Sequence, residues 1–459
     1  MKEKGGKNMN ARWASIEEMK ERVEGVNLKT GVNISGLPIM YDDKYLYIEK
    51  KDNHNLLIGS TGSGKTQAVI LPMIQMSRMA EESIVVNDPK GELYKITAKK
   101  LEEEGYKTIV IDFFDPRYGN NWNPLTLPYK LYKEGNKDRA IDLIEDLGYY
   151  LLTDSREKDQ DPFWINSTIN YFVGLTIYLF ENAKEEEINL SSIESLASSL
   201  SSKEKIKTFI NEVANNPSIY LKVAGTLLAP EETKGSILSV FKQRLQKYLI
   251  KENLKNMMQT TDFDITKIQE NKTAIFIISG ISNLCDNLIP LLINQIIDAV
   301  DLYETTKRRI NMLLDEFDTL LPIKNFAQKI RYCRSLGIRM TVAIQSFIHL
   351  ANRYSKEEVE ILKMCFENIV YLLSEDIYTL QEISKYCGTI KDNNIEKPLV
   401  SPEELKTLKV FEAVIIMTRM MPFKTKLLPN YQINWGYKEE IAKIPERTIN
   451  KIAVYNYEK

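Results

Sequence analysis

Histidine is nearly absent from this chain, which has 2, at positions 54 and 349. Cysteine is scarce as well, with 4 at positions 285, 333, 365 and 387 and no C-x-x-C spacing among them. A structural zinc needs about four clustered N or S ligands, so no structural metal is expected. The cysteines read as reduced, mostly buried thiols of a cytoplasmic protein. Neither sign of charge dominates: 61 Lys and Arg stand against 63 Asp and Glu, for a net charge of −2. That excludes a protein that coats nucleic acid through an overall basic field, although basic groups could still line the inner channel of a ring. The first forty residues lack an apolar h-region, so no secretory signal is read. The longest uncharged stretch, Pro162 to Phe180, approaches bilayer-spanning length. It carries Asn166, Ser167, Thr168 and Asn170, which are expensive in lipid. It predicts a buried amphipathic helix, with no membrane crossing.

What is present is a chain of 459 residues, too long for one compact core. Residues 1–40 read as an arm. Tyr45–Ile48, Leu56–Ile58, Ser83–Asn87 and Thr108–Ile111 carry the short apolar signal of strands, the last three separated by helical stretches that open at Lys65 and Leu93. Strand–helix alternation at this spacing predicts a parallel sheet with right-handed crossovers. From about residue 130 to 254 the character turns helical, and Ile237, Phe241, Leu245, Tyr248 and Leu249 give one apolar face. Strand signals resume at Thr273–Ile278, Ile310–Leu314, Arg339–Ile344, Ile369–Leu373 and Glu412–Met417. The expected organisation is an arm (1–40), an α/β domain in two parts (41–128 and 263–435) split by an all-α insertion (129–262), and a tail (436–459). Phe163 and Trp164 are expected in the core of the helical part, and His54 at a loop or edge.

Gly59-Ser60-Thr61-Gly62-Ser63-Gly64-Lys65-Thr66 is a complete phosphate-binding loop between an apolar strand and a helix. A triphosphate presents closely spaced negative charges. Backbone N–H groups curled around glycines, together with the positive end of the following helix, hold them without fixed counter-ions. Lys65 is expected to reach the β- and γ-phosphates and Thr66 to offer its hydroxyl to Mg²⁺. Met312-Leu313-Leu314-Asp315-Glu316 is the matching acidic strand. Asp315 is placed to hold Mg²⁺, and Glu316 to orient and deprotonate the attacking water. Arg331, Arg334 and Arg339 follow closely and offer a cation for a neighbouring subunit's γ-phosphate, and Gln345 ends the next apolar run. Asp88-Pro89-Lys90-Gly91-Glu92 is a tight turn at the sheet edge where ligands bind in open α/β folds. Lys307, Arg308 and Arg309 could form a local basic patch.

Together these motifs resemble the type IV secretion coupling proteins, the TraG-like class. The resemblance is carried by Gly59–Thr66 with Leu71-Pro72, Asp88–Leu93, Trp122-Asn123-Pro124-Leu125, Phe163-Trp164, Leu313–Phe317, Arg334–Arg339 and Ile344-Gln345-Ser346. It runs from the Ala11-Arg12-Trp13-Ala14 arm to about residue 430. It implies a RecA-like P-loop NTPase domain with an inserted all-α domain, hexamers with ATP and Mg²⁺ at subunit interfaces, Arg334 as the finger acting across the interface and Gln345 as the γ-phosphate sensor. The implied task is to recruit a relaxase-bound DNA strand, single- or double-stranded, or a protein substrate, and to deliver it to the secretion channel.

Members of this class usually begin with a transmembrane segment, which these residues lack. Either one was removed just before Ala11, or the chain is a soluble variant with a separate membrane-anchoring partner; both place it at the inner face of the cell membrane. Two other readings stand beside the motor: a nucleotide-regulated docking platform, and a related chromosomal DNA pump.

Overall fold

The computed structural model describes residues 10–42, 44–153, 161–280, 286–303, 308–392, 395–449 and 451–457. The readings placed on Cys285 and Lys307 lie outside them. The chain divides into two compact units. One comprises residues 1–108, 266–277 and 300–443, the other 109–265, 278–299 and 444–459.

The first unit opens with structure where the sequence suggests an arm. Ser15 caps the helix Ile16–Arg22 through a capping box with Glu18, which satisfies two otherwise orphaned donors. Strands β1 (Glu24–Val26), β2 (Leu37–Tyr41) and β3 (Leu46–Glu49) then form a small antiparallel sheet in the order β1-β3-β2. Leu46–Ile48 of the Tyr45–Ile48 run is therefore in a strand, but of this sheet and not of the main one.

The main sheet has nine strands: β4 (Asn55–Gly59), β5 (Ser83–Asn87), β6 (Lys107–Asp112), β7 (Thr273–Ile278), β8 (Ile310–Leu314), β9 (Ile338–Ile344), β10 (Asn368–Leu373), β13 (Glu412–Met417) and β14 (Phe423–Lys426). A separate hairpin, β11 (Thr389–Asp392) with β12 (Ile395–Pro398), precedes the last two. The order is β14-β13-β10-β4-β9-β8-β5-β7-β6. The pairs from β10 through β7 are parallel, and β13 and β14 add antiparallel at one edge. Parallel strands are covered on both faces and read as continuous apolar runs; all of β4, β5, β8 and β9 is buried. β6, whose Lys107 N–H donates to Lys272 O, carries the chain out of this unit.

At the N-terminal ends of β5, β8 and β9 lies a buried charge cluster. Arg339 is 1% exposed. It donates to Asn311 Oδ1 at 2.9 Å and Ser35 O at 3.0 Å, with Glu82 Oε2 3.9 Å away. Asn311 Nδ2 also donates to Glu82 Oε2 at 2.6 Å. Burial pulls the guanidinium down to about 10, against the pull of Glu82. Arg339 is thus an internal structural charge and not the free finger its place in an arginine-rich stretch suggests.

The second unit is largely helical, with Lys137–Leu152, Pro162–Asn182, Leu190–Ser199, Lys203–Val213, Pro217–Leu227 and Glu231–Leu249 as its longer helices. Aromatic pairs fix its interior: Tyr171 with Phe241 (centroids 5.1 Å) and Tyr178 with Phe209 (4.9 Å). Pro162–Asn182 is buried from Tyr171 to Phe180, and no helix among the described residues is long and apolar enough to cross a membrane. Phe163 departs from expectation. It is 49% exposed, because it lies in the first turn after the Asp161 cap, ahead of the buried part of the helix. The C-terminal residues also belong here: Asn189 Nδ2 donates to Ala453 O at 2.8 Å and Tyr455 N to Ser192 Oγ at 2.9 Å.

Removing one member of a buried ion pair leaves an uncompensated charge, which costs about 3–5 kcal/mol. Glu82→Ala is therefore expected to lower the unfolding free energy by about that amount in urea titrations. A loss under about 1 kcal/mol would show that Ser35 and Asn311 alone satisfy Arg339.

Candidate nucleotide-binding site

The loop after β4 is shaped by what cannot be there. A β-carbon at Gly59 would stand 2.3 Å from Ser63 Oγ, so only glycine lets the chain fold back this closely. Gly64 has φ +98°, a conformation that glycine adopts without strain. Ser63 N donates to Ser60 O at 3.1 Å and Ala68 N to Gly64 O at 2.8 Å, which curls the loop into the helix. The helix begins with a wide turn, Thr66–Ile70, before Leu71–Met79. Pro72, in the first turn of the latter, brings no N–H, and such a wide turn accommodates the break in the ladder.

Lys65 is 8% exposed. Its ammonium is bonded to Gly59 O and, at 3.3 Å, to Ser60 O. Burial lowers its pKa, while Asp315, Asp318 and Glu316 raise it. The group is held over the loop by carbonyls that a phosphate could replace.

Asp315 follows β8, whose C-terminal end lies at the same edge as that of β4, with β9 between them. Thr66 Oγ1 donates to Asp315 Oδ2 at 3.0 Å. Asn87 Nδ2 fixes the Asp315 carbonyl at 2.6 Å. A hydroxyl and a carboxylate at this distance are oxygen donors of the kind Mg²⁺ takes, so the pair fits that ion. Glu316 sits at φ +50°, uncommon for a residue with a side chain. Its N–H donates to Asp315 Oδ1 at 3.0 Å, and its carbonyl accepts from Thr319 N at 2.9 Å and Thr319 Oγ1 at 2.7 Å. The Glu316 carboxylate lies 3.8 Å from Lys90 Nζ.

Two groups, Asp318 and His349, join this cluster that the motif reading did not place there. Asp318 is 5% exposed and accepts the Gln345 N–H at 2.7 Å. His349 Nδ1 lies 3.7 Å from its carboxylate. Burial raises the Asp318 pKa, against the Gln345 N–H, His349 and Lys65. The available signal was its spacing, three residues beyond Asp315 on a helical turn. Lys90 and Asp88 belong to the Asp88–Glu92 turn, expected at the sheet edge where ligands bind. Asp88 accepts the Tyr94 N–H at 2.8 Å, and burial pushes its carboxyl up to about 6. Ser63 Oγ, Asn87 Oδ1 and Asp318 Oδ1 are buried without a hydrogen-bond partner among the described residues. Buried polar atoms are normally satisfied, and all three belong to this edge.

Gln345 is tied in through its backbone. Arg334 is not bonded to this cluster; its half-exposed guanidinium pairs with Glu367 at 3.3 Å. His54 is buried at 2% exposure, where its Nδ1 accepts the Met340 N–H at 3.0 Å, and burial lowers its pKa. It is a loop residue, as expected, but a buried one, because the neighbouring segments Met340 and Glu367–Asn368 close over it.

Residues 8–395 match the family described as type IV secretory system conjugative DNA transfer. The chain is 23% identical over 425 residues to conjugal transfer protein TraG of Escherichia coli, covering 83% of this chain and 64% of that protein. A second TraG of Escherichia coli is 24% identical over 354 residues, covering 71% and 53%. The chain thus spans less than two thirds of the length of these relatives. Among solved structures, the fold is similar to plasmid coupling protein TrwB in complex with the non-hydrolysable ATP analogue ADPNP (TM-score 0.68, 16% identity, 96% of this chain and 95% of that one). It is equally similar to TrwB in complex with ADP and Mg²⁺ (TM-score 0.68, 16% identity, 96% of each). The shared fold is the RecA-like P-loop arrangement of a mostly parallel sheet flanked by helices.

The Asp88 carboxyl titrates higher in the folded chain than in the unfolded one, so the folded state holds its proton longer. Stability then falls as pH rises from about 4 to about 6. Asp88→Asn keeps an oxygen for Tyr94 N–H and removes that titration. Its stability relative to wild type is expected to rise across this window in urea melts, and a pH-independent difference would contradict the assignment.

Proposed function

The chain belongs to the type IV secretory system conjugative DNA transfer family, and on that premise we propose that it is an ATP-hydrolysing coupling protein. It recruits DNA with its relaxase, or a protein substrate, and hands it to a secretion channel at the inner face of the membrane. The observation that carries the reading is the meeting of Lys65, Thr66, Asp315 and Glu316 at one sheet edge. TrwB, similar in fold, was solved with ADPNP and with ADP and Mg²⁺, which supports Mg·ATP as the ligand here.

In this reading the amides of Gly62 to Thr66 cradle the β- and γ-phosphates. Lys65 leaves the Gly59 and Ser60 carbonyls to bridge them. Thr66 and Asp315 would hold Mg²⁺, which would supply charge neutralisation for the phosphates. Glu316 orients the attacking water and accepts its proton, and Lys90 steadies the carboxylate. Gln345, held through Asp318, faces the γ-phosphate. Arg334 acts on the nucleotide of a neighbouring subunit in a hexamer. Its partly exposed pair with Glu367 is of a kind worth about 0–1 kcal/mol, so the side chain is released at little cost. The first unit then serves as the nucleotide-binding domain, and the largely helical unit contains the inserted all-α domain expected over 129–262. Attachment to the membrane comes from a preceding segment or a separate partner.

Turnover measured with and without single- and double-stranded DNA at low salt tests the motor, since phosphate contacts are strongest there. DNA is expected to bind and to raise turnover. Absence of both would leave a docking platform. Lys65→Ala is expected to lose triphosphate affinity, whereas Glu316→Gln keeps it and loses about 10²–10⁴-fold in turnover. Equal turnover in Glu316→Gln and wild type would remove Glu316 from the mechanism.

A further inference from the structure

The phosphate loop accounts for the charged end of a nucleotide; an aromatic pair beside it is unused. We propose that Phe411 and Tyr431 form the stacking platform for the nucleobase. This rests on the reading of the loop as a nucleotide site.

The sheet places both rings at the ligand edge. β13 runs antiparallel to β10, with Tyr371 opposite Val414 and Asn368 opposite Met417. The start of β13 therefore lies at the C-terminal end of β10, and β10 pairs in parallel with β4. Phe411 immediately precedes β13. It has φ +68°, a strained conformation for an aromatic residue. Its carbonyl accepts from Leu427 N at 2.8 Å, and the next residue, Glu412, donates from N to Lys409 O at 2.9 Å. Strain held this way aims the ring at the loop: a β-carbon at Gly64 would lie 2.7 Å from Phe411 Cδ1 and Cε1. Such strain persists where the surroundings over-determine it, often at ligand clamps.

Tyr431 follows from the partner strand. Glu412 is opposite Lys426 in the β13–β14 pair, so the chain after β14 also emerges at this edge. The turn Asn430–Gln432 packs against Thr66–Ile70, the first turn of the helix behind the loop. Asn430 anchors the turn, being 3% exposed, accepting from Trp435 Nε1 at 2.8 Å and donating to Glu439 at 2.9 Å. Tyr431 beside it is 64% exposed. Its ring meets Phe411 at 6.4 Å between centroids and 64° between planes, an edge contact that leaves ring face open. A nucleotide with its phosphates on the Gly62–Thr66 amides has its base within reach of these rings. Phe411 walls the loop and Tyr431 offers the face. Stacking uses the π-face that every base has, so this platform grips adenine and guanine alike.

Calorimetric titrations of the full chain with Mg·ATP, Mg·GTP and inorganic triphosphate with Mg²⁺ test the proposal. Tyr431→Ala is expected to weaken both nucleotides about tenfold and leave triphosphate unchanged, with Tyr431→Trp restoring affinity. Phe411→Leu, which keeps apolar packing on Gly64, is expected to behave like Tyr431→Ala. Nucleotide affinity unchanged in both variants, or nucleotide and triphosphate weakened equally, overturns the platform. A wild-type chain that binds none of the three ligands sinks the phosphate-loop reading itself, and the platform with it.

Discussion

The contact between Thr66 Oγ1 and Asp315 Oδ2, 3.0 Å across a gap of 249 residues, is the point on which the candidate site depends. It exists because two strands far apart in sequence end at the same edge, β4 in the phosphate loop and β8 in the acidic pair. β9 between them sets the spacing: Leu56 pairs with Val342, and Leu314 pairs with the same residue from the other side. A hydroxyl-to-carboxylate bond is worth only about 1.5–3 kcal/mol, so it does not hold the sheet together. The sheet holds it, through apolar strands buried on both faces, and that rigidity positions a pair of oxygens for a cation.

The Arg339 cluster and the phosphate-loop edge treat buried polarity differently. At the N-terminal ends, Arg339, Glu82, Asn311 and Ser35 satisfy one another, and the cluster is a finished structural element. At the C-terminal edge, Ser63 Oγ, Asn87 Oδ1 and Asp318 Oδ1 are buried without partners, while Lys65 rests on backbone carbonyls. Leaving a buried polar atom unpaired costs about 1–3 kcal/mol. Three such atoms lie at this edge, where an incoming polar ligand would pair with them.

Much of this was legible in the chain, because the strongest signals are local. The phosphate loop announces itself through glycine spacing, and Asp315-Glu316 through the apolar run before it. The helical block announces itself through the period of Ile237, Phe241 and Leu245. What was not legible depends on packing between distant segments. Arg339 and Arg334 look alike in sequence, yet one is fully enclosed by Ser35, Glu82 and Asn311 and the other is half-exposed. His54 has no local mark of burial, which comes from Met340 and Glu367. Asp318 carries no motif of its own and joins the site only because Gln345 N–H closes on it. Phe163 was misplaced because apolarity predicts burial only where a helix has something to pack on, and the first turn of its helix is exposed.

The most direct measurement is the thermal unfolding midpoint of the wild-type chain against Mg·ATP analogue concentration. A ligand that binds only the folded state adds stability as RT ln(1 + [L]/Kd). The midpoint is expected to climb with the logarithm of nucleotide concentration, and to climb less when Mg²⁺ is chelated. A midpoint that stays flat to millimolar nucleotide, with and without Mg²⁺, would contradict the reading of the phosphate loop as a nucleotide site.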